Sequence, residues 1–339
     1  MEVISGTQHA DLPIGNDPSR VGSARREAAQ AAMACGFGEV EAGRLAIVVT
    51  ELATNLLRHA TGGRLLLAAR PDRREVEVIA LDDGPGMPDV ARSLGDGYST
   101  SGTPGTGLGA VRRLATDFDI HSSVPGGTLV LARIRAEGAA TPARQALQVG
   151  AISIAKPGEP VSGDGWACVI DGHRATLLVA DGLGHGPDAA EAAQLAIQAF
   201  LHAPSSATPQ LLARVHERLR GSRGAAVAMV QVDGSDGSGT LTGAGNVVGR
   251  IVSGVEDRTL LTQHGTAGVR IRTPEEVRFD WPPHALIAVC TDGVETRWKS
   301  ELLHPVLGHD PSLVAAMLVR QHSRGRDDTT VAVLRRRPR

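Results

Sequence analysis

Residues 136–145, Ala-Glu-Gly-Ala-Ala-Thr-Pro-Ala-Arg-Gln, interrupt the chain with small and polar residues, a glycine and a proline, and no periodic apolar pattern. No other feature constrains the fold as much, because the two sides of this joint differ in the order of their elements. Before it, residues 24–35 and 40–59 read as helices, the second with Leu45, Val48, Val49, Leu52 and Leu56 at helical spacing. Strand-like runs follow at 64–69, 75–81, 117–122 and 128–134, with a Gly-rich stretch over 83–109 and a short helix ending near 115. Helices followed by a mainly antiparallel sheet predict a two-layer α/β sandwich, not a parallel Rossmann sheet. After the joint, short strands dominate (151–154, 167–170, 175–179, 225–232, 239–242 and 285–290), with helices near 187–202 and 209–219. That pattern predicts a β-sandwich with helices packed outside it. The expected division is a domain at 1–135, a linker at 136–145 and a second domain at 146–339, and the class is α+β.

With 339 residues, two domains are the natural reading. Aromatics are only 2% of the chain, so Leu, Val, Ile and Ala must fill both cores. Lys156 and Lys299 are the only lysines, beside 33 arginines, and neither sits in a Gly-Lys-Ser/Thr loop or a kinase third-strand setting. Walker-type and protein-kinase-type phosphate handling are thereby excluded. A formal charge of −2, spread evenly along the chain, gives no basic face for nucleic acid, and the run 335–339 reads as a solvated tail. Cys35, Cys168 and Cys290 lie outside any CxxC spacing and read as thiols of a reducing cytoplasm. No signal-peptide layout or long apolar run is present, so a soluble cytoplasmic protein without a membrane partner is expected.

Three clusters in the first domain carry chemistry. Glu51, Asn55 and His59 recur every four residues in Glu51-Leu-Ala-Thr-Asn55-Leu-Leu-Arg-His59 and form one stripe of the second helix. Asp82-Asp-Gly84-Pro-Gly86 follows a strand, and Gly105-Thr-Gly107-Leu-Gly109 opens a helix. Taken singly, each has an ordinary structural explanation as a helix surface, a turn or a glycine triplet. In this order and on these elements they resemble the N, G1 and G2 boxes of the GHKL (Bergerat) ATPase fold, over about residues 20–135. The local form resembles the RsbT-like anti-sigma-factor serine kinases of bacterial partner switching.

The resemblance implies ATP with Mg²⁺ held by Asn55, adenine read by Asp82, and a nucleotide bed of Gly84, Gly86, Gly105, Gly107 and Gly109. Glu51 is the implied base, and residues 87–104, with Gly95, Gly97 and Gly102, the implied lid. Elementary chemistry agrees: Mg²⁺ takes oxygen ligands, and glycine amides at a helix N-terminus approach phosphate without a lysine. His59 is expected to pack or hydrogen-bond locally.

The second domain carries aspartates in glycine or turn settings: Gly163-Asp164-Gly165, Asp181-Gly182-Leu-Gly184-His185-Gly186, Thr291-Asp292-Gly293 and Arg326-Asp327-Asp328-Thr329. An Asp-Gly pair alone is the usual composition of a turn. Asp181 and Asp292, however, each end an apolar strand, where carboxylates can converge. The set resembles the PP2C-like phosphatases of the SpoIIE and RsbX type, over about 146–335, with a PP2C-like αββα sandwich.

By that resemblance Asp181 bridges two Mn²⁺ or Mg²⁺ ions, the Gly182 carbonyl holds one, and Asp164, Asp292 and Asp327 complete the site. Asp328 is the less defined half of its pair, and His185 has a supporting or structural place beside the bridging aspartate. Both families act on serines of STAS-domain proteins of the RsbS/RsbR kind. One bifunctional partner-switching regulator of a stress or sigma-factor pathway is therefore expected, with a downstream switch protein as a further partner. Two other readings stay open: a phosphatase whose first domain only senses ATP or captures a regulator, and an anti-sigma binding module with an inactive second domain.

Overall fold

The computed structural model describes residues 1–95, 107–139 and 145–337. The chain forms two compact units, His9–Thr141 and a larger one made of Met1–Gln8 with Pro142–Arg339. β1 (Glu2–Ser5) opens the chain and belongs to the larger unit. The smaller unit runs β2 (Ala10–Pro13), α1 (Ser19–Ala34), α2 (Glu39–His59), β3 (Arg64–Arg70), β4 (Glu75–Asp82), α3 (Val90–Ser93), α4 (Gly107–Leu114), β5 (Asp117–Ser122) and β6 (Thr128–Arg135). Its sheet has the order β2-β3-β4-β6-β5, antiparallel throughout.

The two long helices form a second layer on that sheet. Leu45, Val48, Val49, Leu52 and Leu56 of α2 are buried with Leu65, Leu67, Val76, Val78 and Val130, as the 3.6-residue spacing requires. α1 contributes Ala24, Ala28, Ala31 and Ala32, and such small side chains let it lie close in a core whose only aromatics among the described residues, Phe37 and Phe118, are partly buried at its margin. α2 opens with Glu39 and Glu41 and ends with Arg58 and His59, charges that complement its dipole at both ends.

The larger unit continues with β7 (Leu147–Ile154), β8 (Asp164–Asp171), β9 (Arg174–Gly182), α5 (Pro187–Leu201), α6 (Thr208–Arg218), β10 (Ala225–Asp233), β11 (Ser238–Ala244), β12 (Val248–Val252), β13 (Asp257–Leu261), β14 (Val277–Asp280), β15 (Leu286–Cys290), α7 (Pro311–His322) and β16 (Thr329–Arg336). The strands make two sheets, β1-β8-β9-β10-β11-β14 and β13-β12-β15-β16-β7. Trp166, Leu177, Val179 and Val230 from the first sheet meet Leu147, Ile251, Ile287, Val289 and Leu334 from the second in one apolar layer. α5 and α6 pack on the outside of the first sheet and α7 on the outside of the second, which completes an αββα sandwich.

Three expectations need revision. Residues 1–8 do not join the first domain, because β1 pairs with β8 and Ile4 is buried between the two sheets of the larger unit. The arginine run is no free tail as far as residue 336: Arg335 and Arg336 lie in β16, Arg335 Nη1 donates to the His309 carbonyl at 2.6 Å, and Arg336 stacks over Trp281. The larger unit also holds β12, β13, β14, β16 and α7, for which no element was expected. All three cysteines are buried, and no disulfide joins them. No helix among the described residues is long and apolar enough to cross a membrane.

Candidate active sites

In the smaller unit, α2 carries Glu51, Asn55 and His59 four residues apart; the first two are half-buried and His59 is exposed at the helix end. Asp82 closes β4. The turn after it is built by close approach: the Gly84 N–H donates to Asp82 Oδ1 at 2.7 Å, and a Cβ on Gly84 would crowd that carboxylate and the His59 carbonyl. Gly86 has φ +74°, and a Cβ there would stand 1.9 Å from the Ser123 carbonyl oxygen, so only glycine passes. α4 starts at Gly107, above which a Cβ would meet nothing within 4 Å, and Gly109 is buried in its first turn.

The amides at the start of α4 suit an anionic phosphate, and glycine at 84 and 86 lets the turn after β4 pack against the His59 and Ser123 carbonyls with the Asp82 carboxylate at the end of the strand. The residues thus fit a nucleotide. Gly105 of the glycine triplet, and Gly97 and Gly102 of the expected lid, lie outside the described residues.

In the larger unit, acidic residues stand at the ends of strands from both sheets. Asp164 and Asp181 are direct cross-strand partners in β8 and β9. Asp292 follows β15, and Asp327 and Asp328 precede β16, the neighbouring strand. Electrostatics ties them together. Burial, reinforced by the Asp181 charge, pushes Asp164 well above the usual carboxylate range. Burial first, then Asp292, Asp327 and Asp328, pushes Asp181 up to about 7. Burial and the neighbouring Asp327 raise Asp292 and Asp328 too. Arg324 offsets only part of this at Asp292, and the net direction at all four carboxylates stays upward.

Hydroxyls and backbone hold this cluster in place. Thr291 Oγ1 donates to Asp164 Oδ2 at 2.7 Å and so joins the two sheets. The Thr330 N–H in turn donates to Thr291 Oγ1 at 2.9 Å, and Thr330 Oγ1 donates to Ser153. Asn246 Nδ2 donates to Asp292 Oδ2, and the Lys156 N–H to Asp328 Oδ1. Gly182 lies under the first turn of α5, where a Cβ would strike the Ala189 carbonyl oxygen at 2.1 Å. His185 Nδ1 and Glu159 Oε1 are 2.6 Å apart on the exposed rim. Thr291 sits inside the Thr291-Asp292-Gly293 motif without an assigned role and Thr330 one residue beyond Arg326-Asp327-Asp328-Thr329, while Asn246 and Ser153 have no local signal at all.

The donor set suits a hard divalent cation. It is all oxygen, and Asp328 Oδ2 is buried without a hydrogen-bond partner among the described residues. No three acidic, thiol or imidazole side chains among the described residues form a ready-made cage. Backbone carbonyls and water must complete the coordination, as they commonly do for Mg²⁺.

Comparison with known proteins agrees with this geometry. Residues 14–134 match the histidine kinase-like ATPase domain, and residues 171–337 match the stage II sporulation protein E family. The serine/threonine-protein kinase RsbT of Bacillus subtilis (strain 168) is 37% identical over 112 residues, 32% of this chain and 84% of that protein. A solved structure described under the bacterial stressosome, a modular system adapted to control secondary messenger signaling, has a TM-score of 0.53 at 28% identity. It covers 56% of this chain and 99% of that one. RsbX in complex with magnesium has a TM-score of 0.52 at 19% identity, covers 56% of this chain and 96% of its own, and shows the shared fold. The chain belongs to the RsbT-like serine/threonine kinase family through its ATPase unit and joins to it a PP2C-type phosphatase domain of the SpoIIE family.

Proposed function

We propose that the chain both writes and erases phosphate on a serine of one STAS-domain protein, as a cytoplasmic partner-switching regulator that also engages a downstream switch protein. The observation that supports this reading is the presence, on one chain, of a kinase-like ATPase unit and a PP2C-type unit with aspartates gathered at its strand ends. In the ATPase unit, Glu51 accepts the proton of the incoming serine hydroxyl while that oxygen bonds the γ-phosphorus and ADP leaves. Asn55, one turn along α2, holds Mg²⁺, Asp82 reads adenine, and the amides at the start of α4 face the phosphates.

In the phosphatase unit, Asp181, Asp164, Asp292 and Asp327 with the Gly182 carbonyl hold two divalent ions. When bound, these ions supply an acidified water and neutralise the phosphoryl oxygens. Thr291 fixes the Asp164 rotamer, Asn246 orients Asp292, and the Lys156 N–H anchors Asp328 beside Asp327.

The test is phosphotransfer from labelled ATP to the cognate STAS protein. Glu51→Gln and Asn55→Ala abolish labelling, whereas Asp181→Ala lets the label persist because removal is disabled. Undiminished transfer in both ATPase-unit variants overturns the kinase assignment, and Mn²⁺-dependent removal that survives Asp181→Ala overturns the phosphatase site.

A further inference from the structure

Residues 1–8 lie outside the motifs of both sites, yet they are built into the phosphatase unit. β1 extends the first sheet from Glu2 opposite Ile170 to Ser5 opposite Ala167. The Gly6 N–H continues the ladder to the Trp166 carbonyl at 2.8 Å. Gly6 also lies flat on the indole, where a Cβ would come within 2.4 Å of the ring. Gln8 then turns its side chain inward, and its Oε1 accepts from the Ser162 N–H at 2.9 Å. Ser162 is 3% exposed, and its Oγ accepts from the Asp164 N–H at 3.1 Å. The next residue, His9, is buried in the ATPase unit with Nε2 3.3 Å from Glu77 Oε1. The ATPase unit is thus an insertion between Gln8 and Pro142 of the phosphatase unit.

We propose that Gln8 is a positioning residue of the phosphatase site, holding through Ser162 the turn that presents Asp164, so that the site is complete only with the chain's first strand in place. The inference rests on the reading of Asp164 as a metal ligand. The turn is confined on its other sides. A Cβ on Gly163 would come 2.8 Å from both the Ala189 Cβ and Asp328 Oδ2, and Thr291 holds the Asp164 carboxylate. The N-terminal approach to Ser162, by contrast, is held by Gln8, a residue from outside the 142–339 segment. Without the Gln8 oxygen, a buried N–H loses its acceptor and the turn shifts to recover one. Outer partners of this kind commonly set metal affinity by about 10- to 100-fold.

The test measures Mn²⁺ affinity of the full chain by calorimetry without substrate, with ATP affinity as a control on the other unit. Gln8→Met, equal in length but without the acceptor, weakens Mn²⁺ binding about tenfold or more. Gln8→Glu, which keeps an acceptor oxygen, restores it, and Ser162→Ala reproduces the loss by removing the next link. ATP affinity stays at the wild-type value in all three. Wild-type Mn²⁺ affinity in Gln8→Met, or an equal loss in Gln8→Glu, overturns this inference alone. A wild-type chain that binds no Mn²⁺ overturns the metal-site reading and this inference with it.

Discussion

Thr291 and Asp181 show how single side chains set the character of the acidic site. The Thr291 hydroxyl is buried, receives the Thr330 N–H and donates to Asp164, so its loss leaves a desolvated carboxylate unsupported. Thr291→Val should weaken Mn²⁺ binding by about tenfold and lower stability by about 1–3 kcal/mol, checked by calorimetry and urea denaturation. Asp181 has its pKa raised to about 7. Between its unfolded value of 3.8 and about 7, the metal-free folded state keeps a proton that the unfolded chain has released. Metal-free stability therefore falls as pH rises through that window and levels off above it. Asp181→Asn should stabilise the metal-free chain at pH 8 by on the order of 4 kcal/mol and leave it nearly unchanged at pH 4, as read from urea unfolding in EDTA. The letter Asp181 was legible in the sequence as a strand-end acid. Its pKa was not, because that value comes from burial and from carboxylates more than 100 positions away.

At the scale of elements, β4 marks the boundary of what periodicity can reveal. The run 75–81 is a strand as expected, but Glu75 and Glu77 are fully buried in it. The register explains this: Arg70 and Arg135 lie opposite Glu75, and Arg133 lies opposite Glu77. Burial raises the Glu77 pKa, but Arg70, Arg133 and His9 outweigh it and hold the carboxyl well below its usual range. Glu77→Ala takes from Arg70 and Arg133 the carboxylate that each meets at 2.6–2.7 Å, leaves their buried charges short of compensation, and should destabilise the ATPase unit by about 3–5 kcal/mol, checked by thermal melting with and without ATP. Gly86 is the corresponding position in the nucleotide turn. Gly86→Ala meets both a left-handed backbone and the Ser123 carbonyl, and should abolish measurable ATP binding while the phosphatase unit keeps its Mn²⁺ affinity. β13 and β14 escaped the sequence reading because each buries a single residue, Leu260 or Phe279, and β12 because Gly249 and the buried Arg250 interrupt its apolar run.

For the whole molecule, the insertion of one unit into the other makes the first strand a structural requirement for the phosphatase. Deleting residues 1–6 removes Ile4 from the intersheet core and uncovers the edge of β8. The loss of one buried isoleucine, about 1.5–3 kcal/mol, should lower the melting temperature of the transition that does not respond to ATP, by about 5 °C or more. The ATP-responsive transition should stay in place, and differential scanning calorimetry separates the two. The sequence by itself determined the α+β class, the joint near residue 140 and the helical stripe of α2, and it offered the aspartates and glycines of the motifs as candidates. Those features follow from local periodicity and from motifs a few residues long. Only the tertiary structure decided that β1 completes the phosphatase, that Arg335 and Arg336 close a strand, that Glu75 and Glu77 are buried among arginines, and that Thr291 and Ser162 hold Asp164. Apart from the local contacts of Ser162 with Asp164 and of Arg70 with Glu75 and Glu77, these are pairings across a long stretch of chain, whose free energy exists only once the sheets are assembled and water has left between them.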